Sequence, residues 1–254
     1  MEQKQNRKPS WIRKVLIGLA VVIVIAAGAF FWYANDYYKA TAEAVEALKS
    51  GGSVTITETD DAITFAPDGE DPEEGIIFYP GGKVEAEAYA PLLRSLAEAD
   101  LLVVIAKMPF HLAVFDANAA ETIMEQEESV QDWYLAGHSL GGVMASSFAA
   151  DRSDEVAGLI FLASYPSSDL TEAQFPALSI YGSEDEVLNR ESYDEAQVKL
   201  PDDYTEIVLD GGNHGQFGDY GTQSGDGTAA ISTVQQQQMT VEAITSFIEN
   251  SRQQ

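Results

Sequence analysis

Apolar positions divide the chain into two parts. Residues 15–33 form one uncharged run, whereas beyond residue 74 short apolar runs alternate with amphipathic segments. The short runs lack the polar alternation of a half-exposed strand, which indicates strands buried on both faces. The predicted strands cover residues 75–79, 101–107, 133–136, 156–163, 178–181 and 206–209. The predicted helices cover residues 86–99, 117–127, 140–151, 193–198 and 234–250. This alternation predicts an α/β fold, in which a mostly parallel sheet carries helices on both faces.

Residues 15–34 are predicted to form a transmembrane helix, because about 20 consecutive apolar residues cross a hydrocarbon core. A basic segment, residues 1–14, precedes the run, and several aromatic side chains follow it. This asymmetry predicts a single-pass protein of the cell membrane, with its N-terminus in the cytoplasm and the rest of the chain outside. A signal peptide cleaved near Ala27-Gly28-Ala29 is the alternative.

The next segment, residues 35–52, contains helix-forming residues and ends at two glycines, so we expect a stalk helix there. Residues 53–254 are the predicted folded domain, which begins with a hairpin of strands 54–57 and 62–65. The four glutamines at 235–238 are expected at the exposed start of the last helix.

Charge is distributed unevenly between the two parts. The first 35 residues carry a net charge of +4 and the remainder carries −31. So acidic a surface repels nucleic acid, which is therefore not an expected partner. The chain contains no cysteine, and this excludes disulfides, thiolate zinc sites and a cysteine nucleophile.

The pentapeptide Gly137-His138-Ser139-Leu140-Gly141 lies between a predicted strand and a predicted helix. It fits the pattern G-x-S-x-G, in which a sharp strand-to-helix turn carries a serine nucleophile. Main chain approaches the turn so closely that only glycine fits two positions before and after the serine. The turn raises the Ser139 hydroxyl above the sheet, and the N–H of Leu140 points at the group under attack.

A serine hydroxyl becomes a nucleophile only when a base removes its proton. Of the three histidines, His214 follows the last predicted strand, where a loop can reach the top of the sheet. His138 lies inside the turn and His111 follows another strand, so both are expected to pack or to form loop hydrogen bonds. His214 is therefore the predicted base.

The base in turn needs a carboxylate that orients its ring. Asp185 follows a predicted strand and a glycine turn, and Glu184 and Glu186 beside it are the alternatives. The resulting chain order is Ser139, Asp185, His214, an order that occurs in one known fold with this triad.

A tetrahedral oxyanion needs a second N–H donor besides that of Leu140. The first predicted parallel strand ends in Tyr79-Pro80-Gly81-Gly82-Lys83, where main chain can approach a substrate without side-chain obstruction. Gly82 or Lys83 would donate, and Gly82 is our choice.

Together these segments resemble the α/β-hydrolase family over residues 75–248. The resemblance is carried by YPGG at 79–82, GHSLGG at 137–142, YGSEDE at 181–186 and GGNHGQFGDYG at 211–221. It implies a Ser-Asp-His triad with an oxyanion hole, which acts through an acyl-enzyme on esters or related acyl compounds without a metal or an organic cofactor. The segment Met108-Pro109-Phe110-His111 is similar to a small membrane-anchored or exported bacterial subgroup.

The segment that many such hydrolases use as a lid is short in this chain, at residues 164–175. A minimal lid predicts an open cleft for small or medium acyl and ester substrates, with Phe110, Tyr165 and Phe217 as candidate substrate contacts. The glycine-rich loop at 215–231 is expected to be mobile, and Asp219 and Asp226 within it leave Ca²⁺ binding open as an alternative.

The sequence therefore predicts a serine hydrolase of the carboxylesterase type, held outside the membrane by its N-terminal helix. Three alternatives stay open. The first is an acyltransferase or peptidase that uses the same triad, and the second is a non-catalytic binding protein with the α/β-hydrolase fold. The third is a membrane structural protein whose acidic domain holds cations.

Overall fold

The structure, a computed structural model, describes residues 10–69 and 72–252. Most of the predicted basic segment at 1–14 therefore lies outside the described residues. The chain divides into two compact units, Met1–Asp36 and Tyr37–Gln254.

The described part of the first unit is one long helix, α1 (Ser10–Asn35). Within it, Trp11–Asn35 is long and apolar enough to cross a membrane, and its most apolar stretch is not buried by protein. The predicted span at 15–34 lies inside α1. Valine, isoleucine, leucine and alanine fill this stretch, and an apolar helix with no protein covering is suited to a lipid environment.

Eight strands of the second unit form one sheet. They are β1 (Val54–Glu58), β2 (Ala62–Pro67), β3 (Glu74–Tyr79), β4 (Leu102–Ala106), β5 (Asp132–His138), β6 (Gly158–Leu162), β7 (Ala177–Gly182) and β8 (Tyr204–Leu209). Their order across the sheet is β1-β2-β4-β3-β5-β6-β7-β8. The predicted hairpin of β1 and β2 is antiparallel, β2 pairs antiparallel with β4, and every further pair is parallel. The predicted α/β fold with a mostly parallel sheet is confirmed.

Helices cover both faces of this sheet. They are α2 (Ala42–Glu46), α3 (Ala90–Ala97), α4 (Ala119–Gln126), α5 (Leu140–Asp151), α6 (Arg190–Ala196) and α7 (Thr233–Ser251). Successive strand residues point to opposite faces. In β3, Ile76 and Phe78 therefore pack with α3 and α7, whereas Ile77 and Tyr79 pack with α4 and α5. Burial of each such side chain stabilises the fold by about 1.5–3 kcal/mol. This packing holds the strands in register, so the carboxyl ends of the parallel strands lie at one edge of the sheet.

The segment predicted as a stalk helix folds differently. Only the short α2 is helical there, and Tyr38 instead forms a β-bridge with Val84. The guanidinium of Arg94 donates hydrogen bonds to the carbonyl groups of Ala47, Lys49 and Gly51. Tertiary contacts of this kind commonly override helix propensity, which is a weak local preference. Residues 37–52 are consequently part of the second unit.

Candidate active site

Ser139 occupies the turn between β5 and α5. Its backbone angles are φ 51° and ψ −121°, so a residue with a side chain sits in a sparsely populated region. Two hydrogen bonds hold this strained conformation: the Ser139 N–H donates to the Leu162 carbonyl at 2.9 Å, and the Ser164 hydroxyl donates to the Ser139 carbonyl at 2.6 Å. The turn therefore presents the serine in a fixed direction.

Close approach of main chain explains the glycines around this serine. A Cβ atom at Gly137 would overlap the backbone of Gly142, and one at Gly141 would overlap the carbonyl of Tyr79 at the end of β3. Backbone atoms cannot move aside as a flexible side chain can. A glycine is thus required at both positions that the sequence pattern indicates.

His214 and Asp185 meet at the same edge of the sheet. His214 follows β8 and Asp185 follows β7, and the His214 Nδ1 lies 2.9 Å from the Asp185 Oδ2. Both side chains are almost fully buried, at 2% and 1% exposure. Because a carboxylate only accepts, Nδ1 carries the proton of the imidazole. Nε2 is then free to accept a proton from a hydroxyl.

The loop after β7 selects one of its three acids. The second oxygen of Asp185 accepts the N–H groups of Val187 and Leu188, at 2.9 and 2.8 Å. Glu184 and Glu186 are exposed, and the Glu184 carboxylate accepts the Ser183 hydroxyl. Asp185 is therefore the acid in contact with the imidazole.

Ser139 and His214 line one cavity of about 220 Å³. The other lining residues are Leu140, Val143, Ala163, Ser164, Tyr165, Val187, Leu188 and Asn189. A larger groove of about 580 Å³ lies between β8 and α7, and it contains neither Ser139 nor His214. We take the smaller cavity as the candidate site, because it is lined by Ser139 and His214, and a reaction needs such groups more than it needs a large volume.

Of the three predicted substrate contacts, one lines the cavity and two do not. Tyr165 lines the cavity. Phe110 is 44% exposed, contacts the ring of Phe115 and is not a lining residue. Phe217 is fully buried, with its ring 5.7 Å from that of His138. Phe217 therefore belongs to the core below the site, because the short helical turn at Gly215–Phe217 directs it inward.

The loop after β3 leaves one N–H for an oxyanion. The Gly81 N–H donates to the Tyr89 hydroxyl, and the Lys83 N–H donates to the His111 carbonyl. Within the described part of the chain, the Gly82 N–H has no acceptor, and Gly82 lies against the side chain of Leu140. The N–H of Leu140 begins α5 and so has no partner one turn earlier. Gly82 therefore lies next to Leu140, the residue that follows Ser139 in the chain.

Hydrogen bonds to Asp226 join separate parts of the glycine-rich loop after His214. The carboxylate of Asp226 accepts the N–H groups of Gly215 and Gly227 at 2.8 Å, and that of His214 at 3.2 Å. It also lies 3.4 Å from the N–H of Glu186, in the loop that carries Asp185. Asp226 therefore joins the loop that carries His214 to the loop that carries Asp185, a contact that the sequence did not reveal. Among the described residues, no group of three or more potential ligands could hold a metal ion.

The buried side chain of Gln236 bonds to Asn213, the residue before His214. The side-chain amide of Gln236 accepts the N–H of Asn213 at 2.9 Å and donates to its carbonyl at 2.8 Å. Gln236 and Gln237 are buried, so the prediction of an exposed glutamine run was wrong for these two. Gln235 forms a capping box with Ser232 at the start of α7. Helical periodicity turns adjacent glutamines to different sides, which the composition of the run conceals.

The other two histidines are not in the cavity lining. Burial and the neighbouring His214 hold the pKa of His138 well below its usual value, so its ring is neutral. The ring of His111 stacks on Tyr37 with 4.0 Å between centroids, and burial lowers its pKa as well.

The sequence and the fold were compared with known proteins. The family model described as "Alpha/beta hydrolase family" matches residues 75–238. No curated protein matches the chain at a significant level.

Solved structures share the fold at low sequence identity. Est1E from Butyrivibrio proteoclasticus has a TM-score of 0.58 and 15% identity, with 80% of this chain and 100% of that chain covered. An esterase from Pyrobaculum calidifontis has a TM-score of 0.58 and 16% identity, with coverage of 81% and 89%. A bacterial membrane phospholipase A has a TM-score of 0.60 and 12% identity, with coverage of 94% and 99%. Since the family model spans more than half of the sequence, the chain belongs to the alpha/beta hydrolase family.

Proposed function

We propose that the protein is a serine hydrolase that cleaves carboxylic esters or related small acyl compounds through an acyl-enzyme. The observation that carries the proposal is the 2.9 Å contact between Asp185 and His214, beside the cavity that Ser139 also lines. Acyl transfer requires an activated nucleophile, an oriented imidazole and N–H donors for the oxyanion, and Ser139, His214 and the N–H groups of Leu140 and Gly82 are the groups that we assign to these roles.

The proposed reaction begins when His214 Nε2 accepts the proton of the Ser139 hydroxyl as its oxygen attacks the carbonyl carbon. Asp185 stabilises the imidazolium that forms, and the N–H groups of Leu140 and Gly82 bind the oxyanion. His214 then gives the proton to the leaving alcohol as the carbon–oxygen bond breaks. Water, activated by the same imidazole, releases the acid and restores the Ser139 hydroxyl.

The size of the cavity favours small acyl groups. Its volume of about 220 Å³ is below the range of about 300–1,000 Å³ that is typical of sites for drug-sized ligands. The connection between β6 and β7, all of which the structure describes, contains no helix that could close over it. We therefore propose a short acyl chain as the preferred substrate.

A panel of p-nitrophenyl esters with acyl chains of increasing length tests this proposal. We expect the largest kcat/KM for short chains, a loss of at least about 10³-fold in Ser139→Ala, and wild-type activity in the control Ser95→Ala on α3. A folded wild-type protein without turnover would favour the non-catalytic binding protein. Turnover only of amides, or only with an acyl acceptor, would favour the peptidase or the acyltransferase.

We further propose that α1 anchors the protein in the cell membrane, with its N-terminus in the cytoplasm. The support is the uncovered apolar helix at Trp11–Asn35, which follows a basic segment. The full-length protein should resist extraction of membranes with alkaline carbonate, and protease added outside intact cells should remove the hydrolase domain. A soluble exported protein that lacks residues 1–29 would instead identify a cleaved signal peptide.

A further inference from the structure

Two loops of the candidate site are joined by a buried chain of hydrogen bonds. The Gly81 N–H lies 3.0 Å from the Tyr89 hydroxyl oxygen, which lies 2.8 Å from Nδ1 of His138. Nε2 of His138 lies 3.1 Å from the backbone carbonyl oxygen of His214. We call this set, Gly81, Tyr89, His138 and His214, the buried relay.

We propose that Tyr89 and His138 are positioning residues. They hold the loop after β3, which carries Gly81 and Gly82, in register with the loop after β8, which carries His214. The inference rests on the proposed function, because it assigns Gly82 to the oxyanion and His214 to proton transfer. Neither Tyr89 nor His138 reacts with substrate, since neither lines the cavity.

The direction of every hydrogen bond in the buried relay is determined. A backbone N–H only donates and a backbone carbonyl only accepts. His138 must therefore carry a proton on Nε2 to reach the His214 carbonyl. Its Nδ1 then accepts the single proton of the Tyr89 hydroxyl, whose oxygen accepts the Gly81 N–H. Only a neutral His138 in one tautomer satisfies all three bonds.

Burial protects this arrangement. Tyr89 is fully buried and His138 is 1% exposed. The His138 ring is packed against three others, with centroids 5.8 Å from Tyr89, 4.6 Å from His214 and 5.7 Å from Phe217. A second proton on His138 would leave the Tyr89 hydroxyl without an acceptor, and an unpaired buried polar group costs about 1–3 kcal/mol. The contact with Phe217 also explains why that side chain lies below the site.

The consequence for catalysis is geometric. Gly81 precedes the residue whose N–H is free for the oxyanion, and the carbonyl that His138 binds belongs to His214 itself. His138 also precedes Ser139 in the chain, so the turn and both loops meet at one ring. A shift of about 1 Å in such groups can reduce turnover by about 10²-fold.

Kinetics of His138→Leu, His138→Gln and Tyr89→Phe with a short-chain ester test the inference. Leucine fills space without hydrogen bonds, and we expect its kcat to fall by about 10²-fold with KM within about threefold of wild type. Glutamine offers both an acceptor and a donor, and should recover at least about tenfold of this loss. Tyr89→Phe should lower kcat by about tenfold or more.

Tyr193→Phe is the matched control. The Tyr193 hydroxyl is also buried and bonds to Ser179 and Glu206, yet Tyr193 does not line the cavity. This control should lower the melting temperature and leave kcat unchanged. Wild-type kcat in His138→Leu, or a His138→Gln no more active than His138→Leu, would overturn the inference.

A measurement without turnover separates this inference from the proposed function. Long-range ¹H–¹⁵N NMR spectra of the Ser139→Ala protein should show His138 as a neutral imidazole protonated at Nε2, with the same signals at pH 6 and pH 8. A His138 that titrates between these values, or that carries its proton on Nδ1, would overturn the buried relay even if the enzyme is active. Failure of the proposed function would instead be a folded wild type with this tautomer and no esterase activity.

Discussion

The carboxylate of Asp185 makes hydrogen bonds with three groups, two backbone N–H groups of its own loop and the imidazole of His214. All three partners donate, so the carboxylate acts purely as an acceptor. This determines that His214 carries its proton on Nδ1 and offers a free Nε2 to the cavity. One side chain thus fixes both the orientation and the tautomer of the proposed base.

Asp185→Asn tests this role. The asparagine oxygen would keep the two backbone N–H groups, and its NH₂ group would face Nδ1 of His214. The imidazole would then hold its proton on Nε2 and could not accept the proton of Ser139. We expect kcat to fall by about 10⁴-fold with an unchanged fold by circular dichroism. Glu184→Gln is the control, and an Asp185→Asn protein that keeps most of its activity would contradict the assignment.

Some residues of the candidate site could be predicted from the sequence and others could not. Ser139 is indicated by a local pattern, and chain order directs attention to His214. Asp185 could be chosen only from three adjacent acids, because the direction of each side chain depends on loop geometry. Tyr89 and Asp226 carry no local pattern at all. Tyr89 bonds to His138, 49 residues away, and Asp226 reaches Glu186, 40 residues away, besides its partners in its own loop; only folding creates the two distant contacts.

Stability should depend on pH through His138. Burial depresses its pKa in the folded protein well below the usual 6.5, which is the value expected in the unfolded chain. Below about pH 6.5 the unfolded state therefore binds a proton that the folded state does not. This contribution to stability is complete above pH 6.5 and is lost as pH falls, by at most about 1.4 kcal/mol per pH unit.

Denaturant unfolding of wild type and His138→Gln at pH 7, 6 and 5 measures the effect. The difference in unfolding free energy between the two proteins should change in favour of His138→Gln as the pH falls. A difference that stays constant over this range would show that His138 is not held neutral by folding.

The loop after β8 has a glycine-rich composition and also a set of specific hydrogen bonds. The Asp226 carboxylate accepts three backbone N–H groups of the loop at 3.2 Å or less. Gln236 on α7 binds both backbone groups of Asn213. The loop is thus bonded by one of its own carboxylates and by a side chain of α7, and local composition does not reveal these contacts. Similarly, Arg94 binds three carbonyls of the segment at residues 35–52 that is predicted as a stalk.

Asp226→Ala should loosen this loop. The substitution removes the acceptor of the His214, Gly215 and Gly227 N–H groups, so their amide exchange should accelerate by about tenfold or more. Amides of the central strands should exchange as in wild type, and kcat should fall because His214 is no longer held in place. Asp219→Ala, in the same loop, is the control, since the described residues form no hydrogen bond with its carboxylate. Unchanged exchange at His214 in Asp226→Ala would contradict the role assigned to this carboxylate.

At the scale of the whole molecule, the two units differ in composition and in charge. The fold of the second unit was accessible from the sequence, because buried parallel strands lack polar alternation and the strands end where the glycine turns begin. The helix of the first unit could be predicted from its apolar run alone. Residues 37–52, most of the segment predicted as a stalk, are part of the second unit, and they bond to its other residues through backbone groups that have no sequence signature.

Residues 37–254 should therefore fold without the apolar helix. We expect this fragment to be soluble without detergent and to hydrolyse a soluble short-chain ester with kcat/KM within about threefold of the full-length protein. The full-length protein should sediment with membranes. A fragment that is unfolded by circular dichroism, or a full-length protein in the soluble fraction, would contradict this division.

Peptide mass spectrometry after treatment with a fluorophosphonate shows whether Ser139 is an activated nucleophile. The reagent reacts with a serine that a base has activated, and it mimics the tetrahedral intermediate. We predict one adduct, on the peptide that contains Ser139, that is absent in Ser139→Ala and forms at least about 10²-fold more slowly in His214→Gln. A folded wild-type protein that forms no adduct, or forms it on another residue, would contradict the account.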